Sequence, residues 1–221
     1  MGLVLAVVKP AGLRYSGCMN DRKAVGDVAQ VFDSRAGHYH EMTSRGWLGA
    51  LRRRESAGLF ALLGEVRGLD LLELGCGAGY YTRQLVAHGA ASVTAVDLSP
   101  AMVAALPAGP ITGIAGDAAK VDAGRRFPRV VSAGMLEFVP DPAAVLVNAR
   151  RHVAEDGFLV VLLPRPTLVG RLYQLYHRRN GLRIRLFSPA VFAELAARSG
   201  WRVEAEREVP PFTGIVRLRP A

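Results

Sequence analysis

The stretch Leu71-Leu72-Glu73-Leu74-Gly75-Cys76-Gly77-Ala78-Gly79-Tyr80-Tyr81-Thr82 decides the fold of this chain. A short apolar run is followed by a turn with three glycines, and then by a segment of helical character. Glycine allows a sharp turn and lets a ligand approach the backbone closely. We therefore predict a strand, a loop and a helix, with the loop at the carboxyl edge of a sheet, where open α/β folds bind ligands.

An acidic residue, Asp97, ends the next predicted strand, 22 residues after Gly75. A carboxylate there can accept hydrogen bonds from both ribose hydroxyls of a nucleoside. The glycines follow a GxGxG pattern rather than the GxGxxG of dinucleotide-binding proteins. Glu73, two residues before the loop, would repel a pyrophosphate and attract the cationic methionine end of S-adenosylmethionine (SAM), directly or through water. The pattern favours SAM over a nicotinamide cofactor.

Around this motif, predicted strands alternate with predicted helices. We predict seven strands, at residues 69–74, 92–96, 111–115, 130–133, 158–163, 201–209 and 213–218. We predict helices at residues 47–63, 80–88, 101–106, 142–153, 167–179 and 189–199, and a turn at Asp156-Gly157. Because only the three residues Pro210, Pro211 and Phe212 join the last two strands, they must be antiparallel. The predicted fold is α/β, a doubly wound seven-stranded sheet that is mainly parallel and ends in an antiparallel hairpin.

Three segments are expected. Residues 1–23 are predicted to be a disordered extension, and one hypothesis is that residues 1–18, upstream of Met19, are not natively translated. Residues 24–66 form a helical cap, and residues 67–221 form the ligand-binding domain with an insert at about 165–187. The N-terminal apolar run lacks a charged start and is interrupted by Lys9-Pro10, so we predict no signal peptide and a cytoplasmic protein.

The 221 residues carry a formal charge of +9, which suits nucleic acid, an anionic membrane or acidic substrates. Arginine is abundant along most of the chain, so a general compositional bias is the alternative. The two cysteines, Cys18 and Cys76, form no CxxC pair, and we predict no metal site. One disulfide is allowed by number alone, but a reducing compartment is favoured.

The segment 73–79 resembles motif I of class I SAM-dependent methyltransferases. Later segments are similar to further motifs of that family: residues 96–102, 116–118, 134–142 and 154–164. Upstream, residues 32–39 resemble the entry segment of the small-molecule branch, which includes quinone-biosynthesis methyltransferases. The resemblance covers about residues 30–220 and implies a Rossmann-like fold. Phe138 replaces a frequent histidine, and Glu155-Asp156-Gly157 replaces a Pro-Gly-Gly turn, so the subfamily is left open.

The resemblance implies roles for individual residues. Asp97 would bind the ribose hydroxyls, Asp117 the adenine amino group, and Tyr39 would close over the methionine end. The other residues implied to bind the cofactor are Glu73, Gly75, Cys76, Gly77, Gly79, Leu98, Met102, Ala118 and Ala133. Simpler structural roles are the alternatives: helix packing for Gly79, a strand-end turn for Asp97, a turn cap for Asp117 and plain packing for Tyr39.

Methyl transfer needs a nucleophile placed in line, about 3 Å from the methyl group, more than it needs acid–base catalysis. A general base is required only when the acceptor arrives protonated. The candidates are His38, His40, Glu137 and His177, each with a structural role as its alternative. An Asn-Pro-Pro-Tyr type segment is missing after the fourth strand, which argues against methylation of amino groups in DNA.

The insert contains arginines and leucines at helical spacing, and no acidic residue occurs between Gly157 and Ala193. This composition indicates a basic amphipathic helix. One interpretation is a lid that packs on the core with a solvated arginine face. The other is contact with an anionic or amphipathic acceptor, or peripheral docking on a membrane surface.

The predicted function is SAM-dependent methylation of a small apolar or anionic organic molecule on oxygen, carbon or nitrogen. An RNA methyltransferase is an alternative because the chain is basic, although it lacks an aromatic-rich basic strand face. A non-catalytic SAM-binding scaffold and, more distantly, a dehydrogenase are the others. The oligomeric state is left open.

Overall fold

The central sheet of this computed structural model has seven strands. The structure describes residues 46–221, with side chains from residue 49, so the segment 1–23 and most of the predicted cap lie outside it. The strands are β1 (Asp70–Leu74), β2 (Ser92–Asp97), β3 (Ile111–Ala115), β4 (Phe127–Ala133), β5 (Val153–Pro164), β6 (Trp201–Val209) and β7 (Thr213–Pro220). All seven strands predicted from the sequence are present.

Six helices lie between residues 46 and 221: α1 (Gly46–Leu63), α2 (Tyr80–Ala87), α3 (Pro100–Ala104), α4 (Pro142–His152), α5 (Leu168–Arg179) and α6 (Pro189–Arg198). Side-chain caps begin four of them, because an oxygen accepts a hydrogen bond from an otherwise unpaired backbone N–H. The capping residues are Ser99, Asp141, Thr167 and Ser188. Three of these caps are followed by proline at the first helical position, where no N–H is needed.

The strand order is β3-β2-β1-β4-β5-β7-β6. β1 to β5 are parallel neighbours, and β7 pairs antiparallel with both β5 and β6. The predicted doubly wound sheet with a C-terminal antiparallel hairpin is therefore confirmed. The carboxyl ends of β1, β2, β3 and β4 meet at one edge, and this edge carries the glycine-rich loop.

Strand β5 shows how the two faces of the sheet are covered. Its residues alternate between two buried clusters: Val161 and Leu163 pack with α4 and α6, whereas Val160 and Leu162 pack with α1 and α2. A parallel strand covered on both faces is apolar throughout rather than alternating. This explains the unbroken run of residues 158–163.

The start of β5 differs from the expectation. Val153 pairs with Phe127, and the next paired residue, Phe158, lies opposite Arg129. Residues 154–157 therefore bulge out inside the strand, where a turn was predicted at Asp156-Gly157. A Cβ atom at Gly157 would lie 3.0 Å from the Phe127 carbonyl oxygen. The absence of a side chain lets the bulged chain return to the sheet.

No helix within residues 46–221 has the length and apolar character needed to cross a bilayer.

Candidate active site

The glycine-rich loop leaves β1 with left-handed backbone at three positions, Gly75 (φ +77°), Gly77 (φ +52°) and Gly79 (φ +84°). Side chains rarely adopt this conformation, so the spacing of the glycines follows from the shape of the loop. The N–H groups of Gly75 and Cys76 both donate to the Val96 carbonyl oxygen, at 2.8 and 3.0 Å. The loop is thereby tied to the end of β2, beside Asp97.

The three glycines have different surroundings. A Cβ atom at Gly75 would overlap the Met135 side chain, whereas at Gly77 it would meet no protein atom within 4 Å. At Gly79 it would lie 3.0 Å from Leu106 and 3.1 Å from Pro107. Gly77 therefore has open space on its side of the loop, whereas a side chain at Gly79 would crowd Leu106 and Pro107.

Asp97 has a carboxylate that is fixed by the backbone. Its Oδ2 accepts a 2.8 Å hydrogen bond from the Gly77 N–H, and its Oδ1 accepts a 3.0 Å bond from the Ser99 N–H. A carboxylate oxygen has two lone pairs and can accept more than one hydrogen bond. The half-buried carboxylate is thus held next to the loop in a geometry suited to two neighbouring hydroxyls.

Asp117 follows β3 and lies beside Asp97, because the Gly116 N–H donates to the Asp97 carbonyl oxygen at 2.8 Å. Its Oδ1 accepts a 2.9 Å hydrogen bond from the Ala119 N–H, and Lys120 lies 3.4 Å from its Oδ2. The side chain is therefore a turn cap as well as part of the cleft wall.

These groups line one cleft that encloses about 990 Å³, its open mouth included. Of the residues predicted to bind the cofactor, the cleft brings together Gly75, Cys76, Gly77, Asp97, Leu98, Met102, Asp117, Ala118 and Ala133. Glu73 and Gly79 lie outside its lining, and Tyr39 lies outside the described residues. In the sheet, the residues after β2 and β3 lie on one side of the loop and those after β4 on the other.

The lining also contains residues that the sequence interpretation missed: Arg52, Tyr80, Tyr81, Val96, Gly116, Gly134, Met135, Phe138 and Val139. Tyr80 and Tyr81 directly follow the glycine loop, so their position could have indicated them. Arg52 gave no such signal, because only folding brings α1 against the loop. Its guanidinium lies 5.8 Å from the centre of the Tyr80 ring and 3.7 Å from Glu55 Oε2.

Glu73 lies beneath the loop rather than in the cleft wall. Its side chain is buried, and Oε2 accepts a 2.6 Å hydrogen bond from Thr82 Oγ1 in α2. Burial raises the pKa of this carboxyl to about 8, the Thr82 bond opposes the rise, and the nearby Asp97 charge adds to it. The contact joins β1 to α2 across the loop.

Cys76 is a free, buried thiol. Burial raises its pKa far above the ordinary value, and the charges of Glu73 and Asp97 act in the same direction. The thiolate is the reactive form of cysteine, and burial disfavours it here. Within residues 46–221 no group of acidic, histidine and cysteine side chains is arranged to hold a metal ion.

Two of the candidate bases are described, and two, His38 and His40, lie outside the described residues. Glu137 is buried, burial raises its pKa to about 8, and its Oε2 has no hydrogen-bond partner among the described residues. His177 is buried in α5, and its ring meets that of Phe138 edge-on, with centroids 5.5 Å apart. Neither side chain lines the cleft, although Phe138 does.

Residues 33–206 match a family model described as a methyltransferase domain. An uncharacterised protein of Mycobacterium tuberculosis is 42% identical over 87 residues, which make up 38% of this chain and 30% of that protein. A protein of Mycobacterium bovis matches to the same extent. The chain thus matches less than a third of the length of these curated relatives.

Solved structures share the fold. DhpI, in complex with S-adenosylhomocysteine, superposes with a TM-score of 0.71 at 26% identity, over 90% of this chain and 98% of that one. A Burkholderia thailandensis 1,6-didemethyltoxoflavin N1-methyltransferase gives a TM-score of 0.71 at 20% identity, over 93% and 92% of the chains. The family match covers most of the chain, and the loop and acid of the family's motifs meet in one cleft. The chain belongs to the class I SAM-dependent methyltransferases, and S-adenosylmethionine is its cofactor.

Proposed function

We propose that the enzyme methylates a small organic acceptor of apolar or anionic character. The observation that carries this proposal is the composition of the cleft on the β4 side of the glycine loop. Met135, Phe138 and Val139, which follow β4, are apolar residues of its lining, and Tyr80 and Arg52 line the same cleft. Pockets of this kind, mostly apolar with a few placed polar groups, suit small molecules.

The other half of the cleft suits the nucleoside part of the cofactor. Asp97 would accept hydrogen bonds from the ribose hydroxyls, and Leu98 and Met102 would flank the adenine. Asp117 and the Ala118 backbone, which line the same cleft, would bind the adenine edge. Gly77, with open space in front of its Cα atom, would allow the ligand to approach the loop. Tyr39 stays a prediction for the methionine end.

Arg52 would bind the cofactor's methionine carboxylate. Among the described residues that line the cleft, it is the only cation, and guanidinium pairs well with carboxylate. Its position over Tyr80 and next to Glu55 restricts its rotation. The same positive charge would favour an anionic acceptor at the neighbouring position.

The bound cofactor supplies an electrophilic methyl group on a sulfonium sulfur. The chain's own contribution is to orient the acceptor and to exclude water, because in-line placement gives much of the rate. The rings of Phe138 and Tyr80, which line the cleft, would serve this purpose. Glu137 is buried one residue before Phe138 and does not line the cleft, so we assign no described residue as the general base.

The acceptor class can be tested with methyl-tritiated SAM. The full chain is incubated separately with a small-metabolite extract and with total RNA, and label transfer is followed in each. Asp97→Ala serves as the inactive variant and Asp156→Ala, at an exposed position, as the matched control. Label in the extract, absent with Asp97→Ala, supports the proposal. Label in RNA alone would replace it with RNA methylation, and no transfer in either would favour a non-catalytic SAM-binding protein.

A further inference from the structure

Helix α5 exposes apolar side chains on its outer side. Leu168 is 76% exposed, Leu172 57%, Leu175 42% and Tyr176 53%. At about 100° per residue these four side chains, called here the outer α5 face, cover an arc of about 100°. Val169 and Tyr173, at neighbouring positions of the same helix, pack against the core instead.

The inner side of α5 is already filled, so the outer α5 face has no place in the core. Tyr173 packs on Phe212, with ring centroids 5.1 Å apart, and His177 is buried. A Cβ atom at Gly170 would overlap the Arg165 carbonyl group, so this glycine lets the helix lie directly on the chain below. One face of α5 therefore packs on the core, whereas the four large apolar side chains of the outer α5 face are exposed to solvent.

Arginines border the outer α5 face. Arg171, Arg178 and Arg183 line a groove with Leu175 at the edge of the helix, and Arg179 is exposed at its C-terminal end. Arg171, Arg178 and Arg179 form no ion pair with the residues described here. Because no acidic residue occurs from Gly157 to Ala193, nothing nearby in sequence offsets their charge.

We propose that the outer α5 face docks on an anionic lipid bilayer. A helix with an apolar arc beside arginines lies in the bilayer interface, with the apolar side chains inserted and the cations against anionic headgroups. The arginines that border the outer α5 face favour a lipid bilayer with anionic headgroups, because their positive charge complements its negative surface. Tyr176 and His177 are ring neighbours, and His177 contacts Phe138 of the cleft, so docking would bring the cleft close to the bilayer.

Co-sedimentation of the full chain with vesicles tests this surface. The vesicles contain phosphatidylcholine alone, or phosphatidylcholine with 30 mol% phosphatidylglycerol. We expect binding to the anionic vesicles only, and its loss when the salt concentration is raised. Binding at this surface is independent of which acceptor the cleft takes, and a parallel SAM titration reports on the cleft separately.

Two variants and a matched control assign the binding to α5. The double variant Arg178→Glu with Arg179→Glu should weaken binding to the anionic vesicles at least about 30-fold. Each arginine close to an anionic membrane contributes substantially to the free energy of binding. Arg53→Glu with Arg54→Glu changes the net charge equally at two adjacent exposed positions of α1, and should weaken it far less. Leu172→Ser with Leu175→Ser should also release the protein from the vesicles. All these positions are exposed, so folding is expected to be kept.

Three results would overturn the proposal. The first is failure of the wild type to bind anionic vesicles. If the wild type were then found to be a dimer, and the double variant Leu172→Ser with Leu175→Ser a monomer, the face would be covered by a second copy of the chain. The second is equal binding to neutral vesicles. The third is an equal loss of binding in the α1 and α5 charge variants, which would indicate general attraction by the net charge.

Discussion

Thr82 Oγ1 in α2 donates a 2.6 Å hydrogen bond to Glu73 Oε2 in β1, and both side chains are buried. This bond spans the glycine loop that separates the two elements. Burial disfavours the charged carboxylate and raises the pKa of Glu73 to about 8, although the Thr82 hydrogen bond opposes this rise. The bond therefore links the geometry of the loop to the protonation of one carboxyl.

The first prediction concerns the pH dependence of stability. A carboxyl whose pKa is higher in the folded chain stabilises the fold fully below its ordinary value of 4.5, and this stabilisation is lost as the pH rises through about 8. The free energy of unfolding should thus fall between these values, by up to about 1.4 kcal/mol per pH unit for each such carboxyl. Glu137, with its pKa also raised to about 8, acts in the same direction.

Urea unfolding of the ligand-free protein at pH 5 to 9 checks this. Glu73→Gln should reduce the slope against pH, and Thr82→Val, which removes the donor that lowers the Glu73 pKa, should extend the slope to higher pH. Glu65→Gln, at an exposed position, is the control. A slope that is unchanged in Glu73→Gln would contradict the account.

The second prediction separates backbone strain from packing at Gly75. Gly75→Ala forces both a positive φ on alanine and an overlap with Met135, whereas Gly64→Ala forces only the positive φ, because no atom lies within 4 Å. We expect Gly75→Ala to cost about 1–3 kcal/mol more than Gly64→Ala in urea unfolding. It should also weaken SAM binding. Equal losses of stability in the two variants would show that Met135 does not restrict this position.

The third prediction concerns Arg52. Arg52→Ala should weaken SAM binding about 10–100-fold, because a hydrogen bond to a charged group would be lost. Arg53→Ala, at the adjacent exposed position, should leave it unchanged. Isothermal titration with SAM measures both. Unchanged SAM affinity in Arg52→Ala, with a raised KM for the acceptor, would instead assign the guanidinium to the acceptor.

The sequence predicted those parts of the fold that depend on neighbouring residues. Ser99 Oγ accepts from the Met102 N–H and Asp141 Oδ1 from the Ala144 N–H, and in both cases the cap is followed by a proline that favours a helix start. The Pro210-Pro211 connection indicated the antiparallel hairpin because a parallel crossover needs more chain. Local steric and hydrogen-bonding rules were sufficient for these features.

Other features arise only when distant segments meet. Arg52 reaches the cleft because α1 packs over the sheet, and Glu73 turns toward Thr82 rather than into the cleft. The bulge at residues 154–157 depends on the register between β4 and β5. Neither the charge nor the sequence spacing of these residues indicates which of them become buried, and their burial determines their roles.

The most direct test of the central claim is a calorimetric titration of the full chain with SAM, S-adenosylhomocysteine and NAD. We expect SAM and S-adenosylhomocysteine to bind and NAD not to bind. We also expect at least about 100-fold weaker binding by Asp97→Ala, which loses two hydrogen bonds to a charged group. Asp156→Ala should bind like the wild type. A wild type that binds neither SAM nor S-adenosylhomocysteine, or an Asp97→Ala variant that binds them unchanged, would contradict the account.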